Sequence, residues 1–406
     1  MIKYFIRDEH LNTQKSFADF LKDLSATSDY CKVYRYTRFY DFFVNLIKAL
    51  INNKNIVLID SGFTDQEIIN LGFFQELNKA ESVGDNNSIR DGFDLIERLK
   101  NSHSKLTLFT SGTTGLPKLV EHNIPTLTRM VRSGDKYIND VWGLAFNPTH
   151  IAGIQVLLQA LLNLNSIVHV FGLPSNRVAW SIKHNKITHL SATPTFYRLL
   201  VSTKEVFPYV QRITLGGEKS DPKLYADINT SFPNAKINNI YASTELGSLF
   251  VANGDLFSVP NSIRESVRVS DGELQIRTSL INSDRDNEWY QTGDIVEVVN
   301  VDPLQFKFKN RKTEMINVGG YKVNPNEIED AVRLYSELSD VRVYGKPNSV
   351  LGNILCMDFV LSEGAIVDAT EIKKRLSLQF QDYNIPRIIK QVFEIQKTRT
   401  GKLSRI

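Results

Sequence analysis

The sequence has few cysteines and no long apolar run. Its 406 residues include only two cysteines, Cys31 and Cys356, and these form no metal-ligand spacing. So few cysteines exclude a disulfide-rich scaffold and favour a reduced, cytoplasmic setting. No uninterrupted apolar stretch approaches the ~20 residues of a membrane span, so no integral membrane segment is predicted. Met1 to Leu11 mixes charged and apolar residues, unlike a signal peptide.

Neither sign of charge dominates the chain. The 48 lysines and arginines nearly balance 45 aspartates and glutamates, which gives a formal net charge of +3 without a dense basic block. Nucleic acid is therefore not predicted as a partner. The hydrophobic content of 42% and the charged content of 23% are typical of globular proteins. The length allows about two or three domains with ample core.

A loop rich in hydroxyl groups and glycine separates two predicted strands. Alternating apolar residues predict one strand at Lys105–Phe109 and the next at Leu119–His122. Glycines let backbone N–H groups turn towards an anion, and hydroxyls and a lysine add donors and charge, so the loop suits a polyphosphate. An ordinary polar hairpin turn would have a similar composition. The loop residues are Thr110, Ser111, Gly112, Thr113, Thr114, Gly115, Leu116, Pro117 and Lys118.

Ser111 to Lys118 resembles the signature of the adenylate-forming superfamily of acyl-CoA synthetases, peptide-synthetase adenylation domains and beetle luciferases. The resemblance implies a large N-terminal α/β domain of layered sheets and helices, residues 1–310. It also implies a small mobile α+β C-terminal domain, residues 311–406. Strand patterns that alternate with helix patterns between Leu106 and Tyr241 favour the α/β part independently. The region before Lys105 is short for the family, so part of its first subdomain is expected to be reduced.

The segment Tyr241-Ala242-Ser243-Thr244-Glu245 follows a predicted strand. Ligand crevices form at the carboxyl ends of such strands, although any strand end can carry polar residues. Tyr241 offers a flat face to a base, Thr244 a hydroxyl to a phosphate oxygen, and Glu245 a carboxylate to Mg²⁺. The segment resembles the superfamily motif Tyr-Gly-x-Thr-Glu, with Ala242 in place of Gly.

Three further segments resemble nucleotide-binding motifs of the family. Asp294 follows Thr-Gly and is expected to accept hydrogen bonds from ribose hydroxyls, and Arg311 is the expected ribose-binding arginine. Gly216-Gly217-Glu218 ends a predicted strand and resembles the adenine-facing segment. Taken singly, these segments would be a solvated aspartate, a basic linker and a glycine turn.

The C-terminal region resembles the mobile part of the family. Gly319 and Gly320 match the loop that approaches pantetheine, and Lys402 matches the catalytic lysine of adenylation. A helix is predicted after Asn324 as N-cap, with Glu327 completing a capping box. Thr313 stands where the family hinge usually carries Asp or Lys, and Asn310 replaces a Gly.

The segment Phe146–Gly153 resembles the His-x-x-Gly segment of carboxylic acid–CoA ligases, which makes His150 a candidate catalytic residue. A lone histidine is more often structural. The amino-acid-activating branch of the family generally carries an Asp near the start of this segment, which pairs with the α-ammonium group. The segment here contains no acidic residue, so the resemblance implies a carboxylic acid without an α-amino group. The expected pocket lining is Ile151, Gly153, Thr193, Phe196, Gly217, Ala242 and Leu246.

The resemblance implies ATP-dependent activation of a small carboxylic acid to acyl-AMP with release of pyrophosphate, followed by acyl transfer to a thiol. The expected cofactors are ATP, Mg²⁺ and coenzyme A. Two alternatives stay open. The acceptor is a carrier-protein phosphopantetheine, with an acyl carrier protein as partner, or the chain is a catalytically silent nucleotide-binding relative.

Overall fold

The computed structural model describes residues 4–26, 29–83, 89–110, 117–243, 245–281, 288–318, 321–348, 352–398 and 403–404. The helices are α1 (Phe17–Ser25), α2 (Phe39–Ile51), α3 (Asp65–Asn70), α4 (Gly92–Lys100), α5 (Ile124–Thr128), α6 (Ile151–Leu161), α7 (Ser175–His184), α8 (Pro194–Val201), α9 (Pro222–Ser231), α10 (Pro325–Val332) and α11 (Ala369–Ser377). The strands are β1 (Ile6–Asp8), β2 (Thr13–Lys15), β3 (Asp29–Cys31), β4 (Val33–Arg35), β5 (Ile56–Ile59), β6 (Ala80–Ser82), β7 (Lys105–Thr110), β8 (Lys118–Asn123), β9 (Val141–Leu144), β10 (Ser166–His169), β11 (His189–Ala192), β12 (Arg212–Gly216), β13 (Lys236–Ser243), β14 (Gly247–Asn253), β15 (Leu256–Ser258), β16 (Val267–Ser270), β17 (Glu273–Arg277), β18 (Trp289–Val301), β19 (Leu304–Arg311), β20 (Ile316–Val318), β21 (Tyr321–Val323), β22 (Leu338–Asn348), β23 (Gly352–Leu361) and β24 (Ile388–Gln391).

The largest sheet has 13 strands in the order β16-β17-β18-β19-β15-β14-β13-β12-β11-β9-β10-β1-β2. The strands β1, β10, β9, β11, β12 and β13 run parallel, as expected where helices cover both faces of a sheet. On one face, Leu190 and Ile213 pack in a core with α7, α8 and α9. Side chains alternate between the faces of a strand. The neighbouring residues of β11 and β12 therefore point to the opposite face, where the cavity described below lies.

A second sheet has the strand order β4-β5-β7-β8. β7 and β8 form an antiparallel hairpin in which Thr110 pairs with Lys118. Residues 111–116, which connect these two strands, lie outside the described residues. The two strands predicted on either side of the hydroxyl-rich loop are confirmed.

A small sheet, β21-β20-β23-β22 with β24 beside β23, packs with α10 and α11 on a separate core. The predicted fold, a large α/β domain and a small α+β domain, is confirmed. Arg311 ends the last strand of the large sheet and Ile316 begins the small one. The boundary at residues 310/311 remains a prediction.

Asn324 caps α10 as predicted, since its side chain accepts a hydrogen bond from the Asn326 N–H. The predicted capping box is wrong. The Glu327 carboxylate accepts from the Asn324 side-chain amide at 3.1 Å, because asparagine brings a donor of its own. No helix among the described residues is long and apolar enough to cross a membrane.

Candidate functional site

A cavity of about 230 Å³ lies on one face of the neighbouring parallel strands β9, β11, β12 and β13. Its floor consists of alternate residues of these strands, and residues from α5 and α6 close it from above. The floor residues are Trp142, His189, Ser191, Arg212, Thr214, Gly216, Asn238, Ile240 and Ala242. The cavity therefore runs along the strands, from their amino ends to their carboxyl ends.

The carboxyl end of the cavity reaches Gly216 and Gly217, two of the predicted nucleotide-facing residues. Gly217 has a φ of 83°, a conformation that favours glycine. The next residue, Glu218, accepts hydrogen bonds from the Thr195 N–H at 2.9 Å and the Leu403 N–H at 2.7 Å. The second bond fixes the C-terminal segment beside this edge of the large sheet.

Asp294, Tyr241 and Arg311 come together next to this edge. Asp294 is 1% exposed and accepts from the Tyr241 hydroxyl at 2.5 Å and from Arg311 Nε at 2.7 Å. Burial, together with the Asp294 carboxylate, raises the pKa of Tyr241 well above its usual value. Burial lowers the pKa of Arg311, but Asp294 more than offsets this effect and raises it. The contacts of the Tyr241 ring are with the aromatic core. Stacking of this ring on a nucleotide base remains a prediction.

Several predicted site residues lie outside the described residues. They are Ser111, Gly112, Thr113, Thr114, Gly115, Thr244, Gly319, Gly320 and Lys402. The segments around Lys402 are described on both sides, since Lys397 and Leu403 form an antiparallel bridge. The Glu218 contact to Leu403 joins this bridge to the edge of the large sheet.

Glu245 lies in the turn between β13 and β14 and is partly buried. Among the described residues it forms no ion pair or side-chain hydrogen bond, and no cluster of three His, Cys, Asp or Glu side chains occurs in that part of the chain. One available carboxylate fits Mg²⁺, which is commonly bound by one or two carboxylates and the phosphates of a substrate.

His150 precedes the first residue of α6 and lines the cavity. Its Nε2 lies 3.9 Å from Oδ2 of the buried Asp60, and Asn147 donates a hydrogen bond to the same oxygen. A Cβ at Gly153 would lie 2.1 Å from the Asn147 carbonyl oxygen, so the close approach of this segment requires glycine. Asp60 is an acid near the predicted acyl pocket that the sequence interpretation missed.

The predicted pocket lining needs correction. Ile151, Thr193, Gly217 and Ala242 line the cavity, as predicted. Three others do not line it. Phe196 packs on the face of the sheet opposite the cavity, Leu246 is fully buried in another core, and Gly153 faces the Asn147 backbone.

Four polar residues at the amino ends of the strands were not predicted as part of the site. Asp140, Trp142, His189 and Arg212 line the cavity at the end opposite Gly216, and we call them the distal polar cluster. His189 Nε2 lies 3.4 Å from Asp140 Oδ2, and its ring lies 4.7 Å from that of Trp142. The sequence feature that could have indicated this cluster is the polar side chain at every second position of β11 and β12.

The sequence profile of the AMP-binding enzyme family matches residues 55–270, which is more than half of the chain. The chain belongs to the AMP-binding enzyme family. The profile of the C-terminal domain of AMP-binding enzymes matches residues 327–402. The predicted membership of the adenylate-forming superfamily is thereby confirmed.

Among the relatives of this AMP-binding enzyme are 2-succinylbenzoate–CoA ligases of Staphylococcus aureus. Those of strains MSSA476 and JH9 are 28% and 27% identical over 329 residues. The match covers 73% of this chain and 65% of each relative, so the chain spans less than two thirds of their length. The likeness to the acid–CoA ligase branch is also confirmed.

Two solved structures show the same fold. ATP-bound MatB from Rhodopseudomonas palustris has a TM-score of 0.71 at 15% identity, covering 99% of this chain and 94% of that one. The o-succinylbenzoate CoA synthetase of Bacillus subtilis, in complex with the acyl-adenylate intermediate OSB-AMP, has a TM-score of 0.70 at 16% identity with the same coverage.

Proposed function

We propose that this AMP-binding enzyme activates a carboxylic acid with ATP and transfers the acyl group to the thiol of coenzyme A. One observation carries the proposal. The cavity reaches Gly216 and Gly217, and Leu403, the residue after the predicted catalytic Lys402, donates a hydrogen bond to Glu218 at the same edge. An acid in the cavity would thus place its carboxylate next to the predicted nucleotide site.

The chemistry requires two steps because a carboxylate is a poor electrophile. In the first step a carboxylate oxygen attacks the α-phosphorus of ATP, and the bond to pyrophosphate breaks. In the second step a thiolate attacks the acyl carbon and AMP leaves. The main tasks of the protein in the first step are positioning and charge neutralisation.

We assign the positioning of ATP to groups on both sides of the edge. Thr110, Lys118 and the loop between them would hold the β- and γ-phosphates through N–H groups, hydroxyls and one positive charge. Asp294 and Arg311 would hold the ribose. Hydrogen bonds from Tyr241 and Arg311 already orient the Asp294 carboxylate. Lys402 would stabilise the charge that develops at the reacting carboxylate and α-phosphate.

Glu245 would hold Mg²⁺ together with the phosphates, and Thr244 would bond a phosphate oxygen. The metal, when bound, neutralises phosphate charge and orients pyrophosphate as a leaving group. His150 would act at the mouth of the acyl pocket, where it lines the cavity next to Ile151.

For the second step we propose residues 311–406 as a mobile domain with its hinge near Arg311 to Thr313. The loop at Gly319 and Gly320 would approach the acyl group after Lys402 withdraws. Coenzyme A is the favoured thiol because the matched relatives are CoA ligases. We also propose an aryl or medium-sized acid, since the relatives act on 2-succinylbenzoate.

The test is a screen for pyrophosphate release across carboxylic acids, with ATP and Mg²⁺, in the presence and absence of coenzyme A. We expect acid-dependent release, and a thioester only when the thiol is present. If the acyl group is transferred to a pantetheinylated carrier protein but not to coenzyme A, the carrier protein is the acceptor. ATP binding without release from any acid would show a catalytically silent relative.

A further inference from the structure

The small domain contacts the large domain through charged side chains. Lys219, which precedes α9, donates from Nζ to Asp330 Oδ2 of α10 at 2.7 Å. Lys223, in α9, donates to the Arg333 carbonyl oxygen at the end of α10 at 2.8 Å. The side chains of Lys219 and Asp330 are 28% and 30% exposed, so the pair is partly shielded from water. Both lysines therefore hold α10 against the large domain.

Each domain orients its own side of this ion pair. In the small domain, Arg333 Nη1 donates to Asp330 Oδ1 at 3.2 Å, while Asp330 Oδ2 accepts from Lys219. α10 itself packs in the small-domain core. In the large domain, the Asp221 side chain caps α9 two residues after Lys219 and accepts from Arg198 Nη2 of α8 at 2.7 Å. The ion pair therefore restrains two domains and not only two side chains.

Opposite charges attract across this interface beyond the ion pair. Burial lowers the pKa of Arg333, but the carboxylates of Glu329 and then of Asp221 more than offset this effect and raise it. Glu329 belongs to α10, and Asp221 belongs to the large domain. The Arg333 guanidinium is therefore attracted from both sides of the interface. A polar interface of this kind allows two domains to separate, unlike a large apolar one.

The C-terminal segment contacts the large domain beside this ion pair. The Leu403 N–H donates to Glu218, the residue before Lys219, at 2.7 Å. Arg342 Nη1 of β22 donates to the Ser404 carbonyl oxygen at 2.9 Å, which attaches the C-terminal segment to the small domain. A displacement of the small domain that opens the ion pair would therefore also open the contact of Leu403.

We propose that Lys219 and Asp330 are positioning residues for adenylation. Their ion pair stabilises the domain arrangement in which Leu403, the residue after the predicted catalytic Lys402, contacts Glu218. The pair opens before acyl transfer, for which the small domain moves. This inference rests on the proposed function, which gives Lys402 a role in the first step only. An ion pair with a merely structural role would affect both steps alike.

Hydrogen exchange at the Leu403 N–H measures the domain contact without any chemistry, because this amide donates to Glu218 across the interface. NMR on protein labelled with [15N]leucine and [15N]valine follows its exchange. Lys219→Glu turns the attraction into a repulsion and should speed this exchange about tenfold. The Val343 N–H, which donates to Glu329 within the small domain at 2.8 Å, is the control and should keep its rate. Unchanged exchange at Leu403, or equal acceleration at both amides, would overturn the inference.

Asp330→Asn should have opposite effects in two backgrounds. In the wild type it removes an attraction and should speed exchange at Leu403 about threefold. In Lys219→Glu protein it removes a repulsion and should slow the exchange again. Lys219→Arg keeps the positive charge and should keep the slow exchange of the wild type. If Asp330→Asn accelerates exchange in both backgrounds, the two side chains do not act as a pair and the inference fails.

The two half-reactions test the role in adenylation. With saturating ATP and acid, Lys219→Glu should adenylate about tenfold more slowly, while transfer from preformed acyl-AMP should not slow. Lys307→Ala breaks an ion pair with Asp255 within the large domain and should alter neither rate. Equal slowing of both half-reactions, or unchanged adenylation despite faster exchange at Leu403, would contradict the inference. If no acid releases pyrophosphate, the proposed function fails, and exchange at Leu403 still decides whether the pair joins the domains.

Discussion

Carboxylates near the two ends of the cavity have different partners. Beside Gly216 and Gly217, at the edge where we propose that ATP binds (the nucleotide edge), both oxygens of Asp294 and both oxygens of Glu218 accept hydrogen bonds from the protein. At the distal end, Asp140 has a buried oxygen without a hydrogen bond in the described part of the chain. One end is organised by contacts within the protein. The other end keeps a buried carboxylate oxygen that has His189 Nε2 3.4 Å away but no hydrogen bond among the described residues.

The contrast predicts different consequences of substitution. Under the proposed function, side chains that already hold one another can bind ATP without reorganising. A buried carboxylate oxygen without a hydrogen bond costs stability instead. Substitutions at the two ends should therefore have different effects.

The largest effect is expected from Lys402→Ala, at the proposed catalytic lysine. Loss of a group that stabilises developing charge should lower the rate of adenylation on the order of 10²–10³-fold. Transfer from preformed acyl-AMP to the thiol should change little, because Lys402 acts only in the first step. Stopped-flow assays of the two half-reactions measure both rates.

Lys373→Ala, at an exposed position of α11, is the matched control and should alter neither rate. An equal loss in both half-reactions of Lys402→Ala, or in neither, would show that the assigned role is wrong.

The same substitution, Asp to Asn, should affect stability differently at the two ends. Asp294→Asn weakens two charge-assisted hydrogen bonds and should lower the free energy of unfolding by about 1.5–3 kcal/mol. Asp140→Asn removes a buried charge that lacks an ion-pair contact with Arg212, so stability at pH 8 should stay the same or rise. Urea denaturation at pH 8 measures both. A larger loss in Asp140→Asn would reverse the comparison.

Two side chains at the distal end should make the free energy of unfolding depend on pH, with effects that oppose each other in the wild type. The pKa of Asp140 is raised, so the folded state takes up its proton first and gains stability as the pH falls from about 7 towards 4. The pKa of His189 is lowered, so the unfolded state is protonated first and stability is lost over the same range. In the wild type the two effects oppose each other.

Substitution of either residue should leave only the pH dependence of stability that the other residue causes. Relative to the wild type, Asp140→Asn should lose stability as the pH falls from 7 to 4, by at most about 1.4 kcal/mol per pH unit. His189→Asn should gain stability over this range. Urea denaturation at intervals of pH measures both slopes, and parallel curves for all three proteins would refute the pKa assignments.

The smallest effect is expected from Glu218→Gln. The change removes the charge that strengthens the hydrogen bond from the Leu403 N–H, so the C-terminal segment should be held less firmly at Leu403. Adenylation should slow about fivefold, a loss of ~1 kcal/mol. Glu265→Gln, at an exposed position, is the control. If Glu218→Gln adenylates at the wild-type rate, this contact does not support catalysis.

The sequence predicted the nucleotide edge better than the distal end. Strand periodicity located β7 and β8 around the hydroxyl-rich loop, and short motifs identified Asp294 and Arg311 as candidates. Such motifs are contiguous, so they are visible without knowledge of the fold. The predicted capping box failed because the Asn324 amide supplied a donor that competes with its backbone N–H.

The distal polar cluster could not be predicted in this way. Trp142, His189 and Arg212 lie far apart in sequence and become neighbours only because β9, β11 and β12 pair in parallel, with His189 opposite both other residues. Phe196 was expected in the pocket but belongs to the other face of the sheet. Which face a side chain occupies depends on strand order and register, which sequence periodicity does not determine.

The central claim is that this chain forms an acyl-AMP from ATP and a carboxylic acid. The most direct measurement is the exchange of labelled pyrophosphate into ATP, with a carboxylic acid and Mg²⁺ but without any thiol. The account predicts exchange that depends on the acid and that Lys402→Ala suppresses. ATP binding without exchange for any acid, or formation of ADP and phosphate instead, would contradict it.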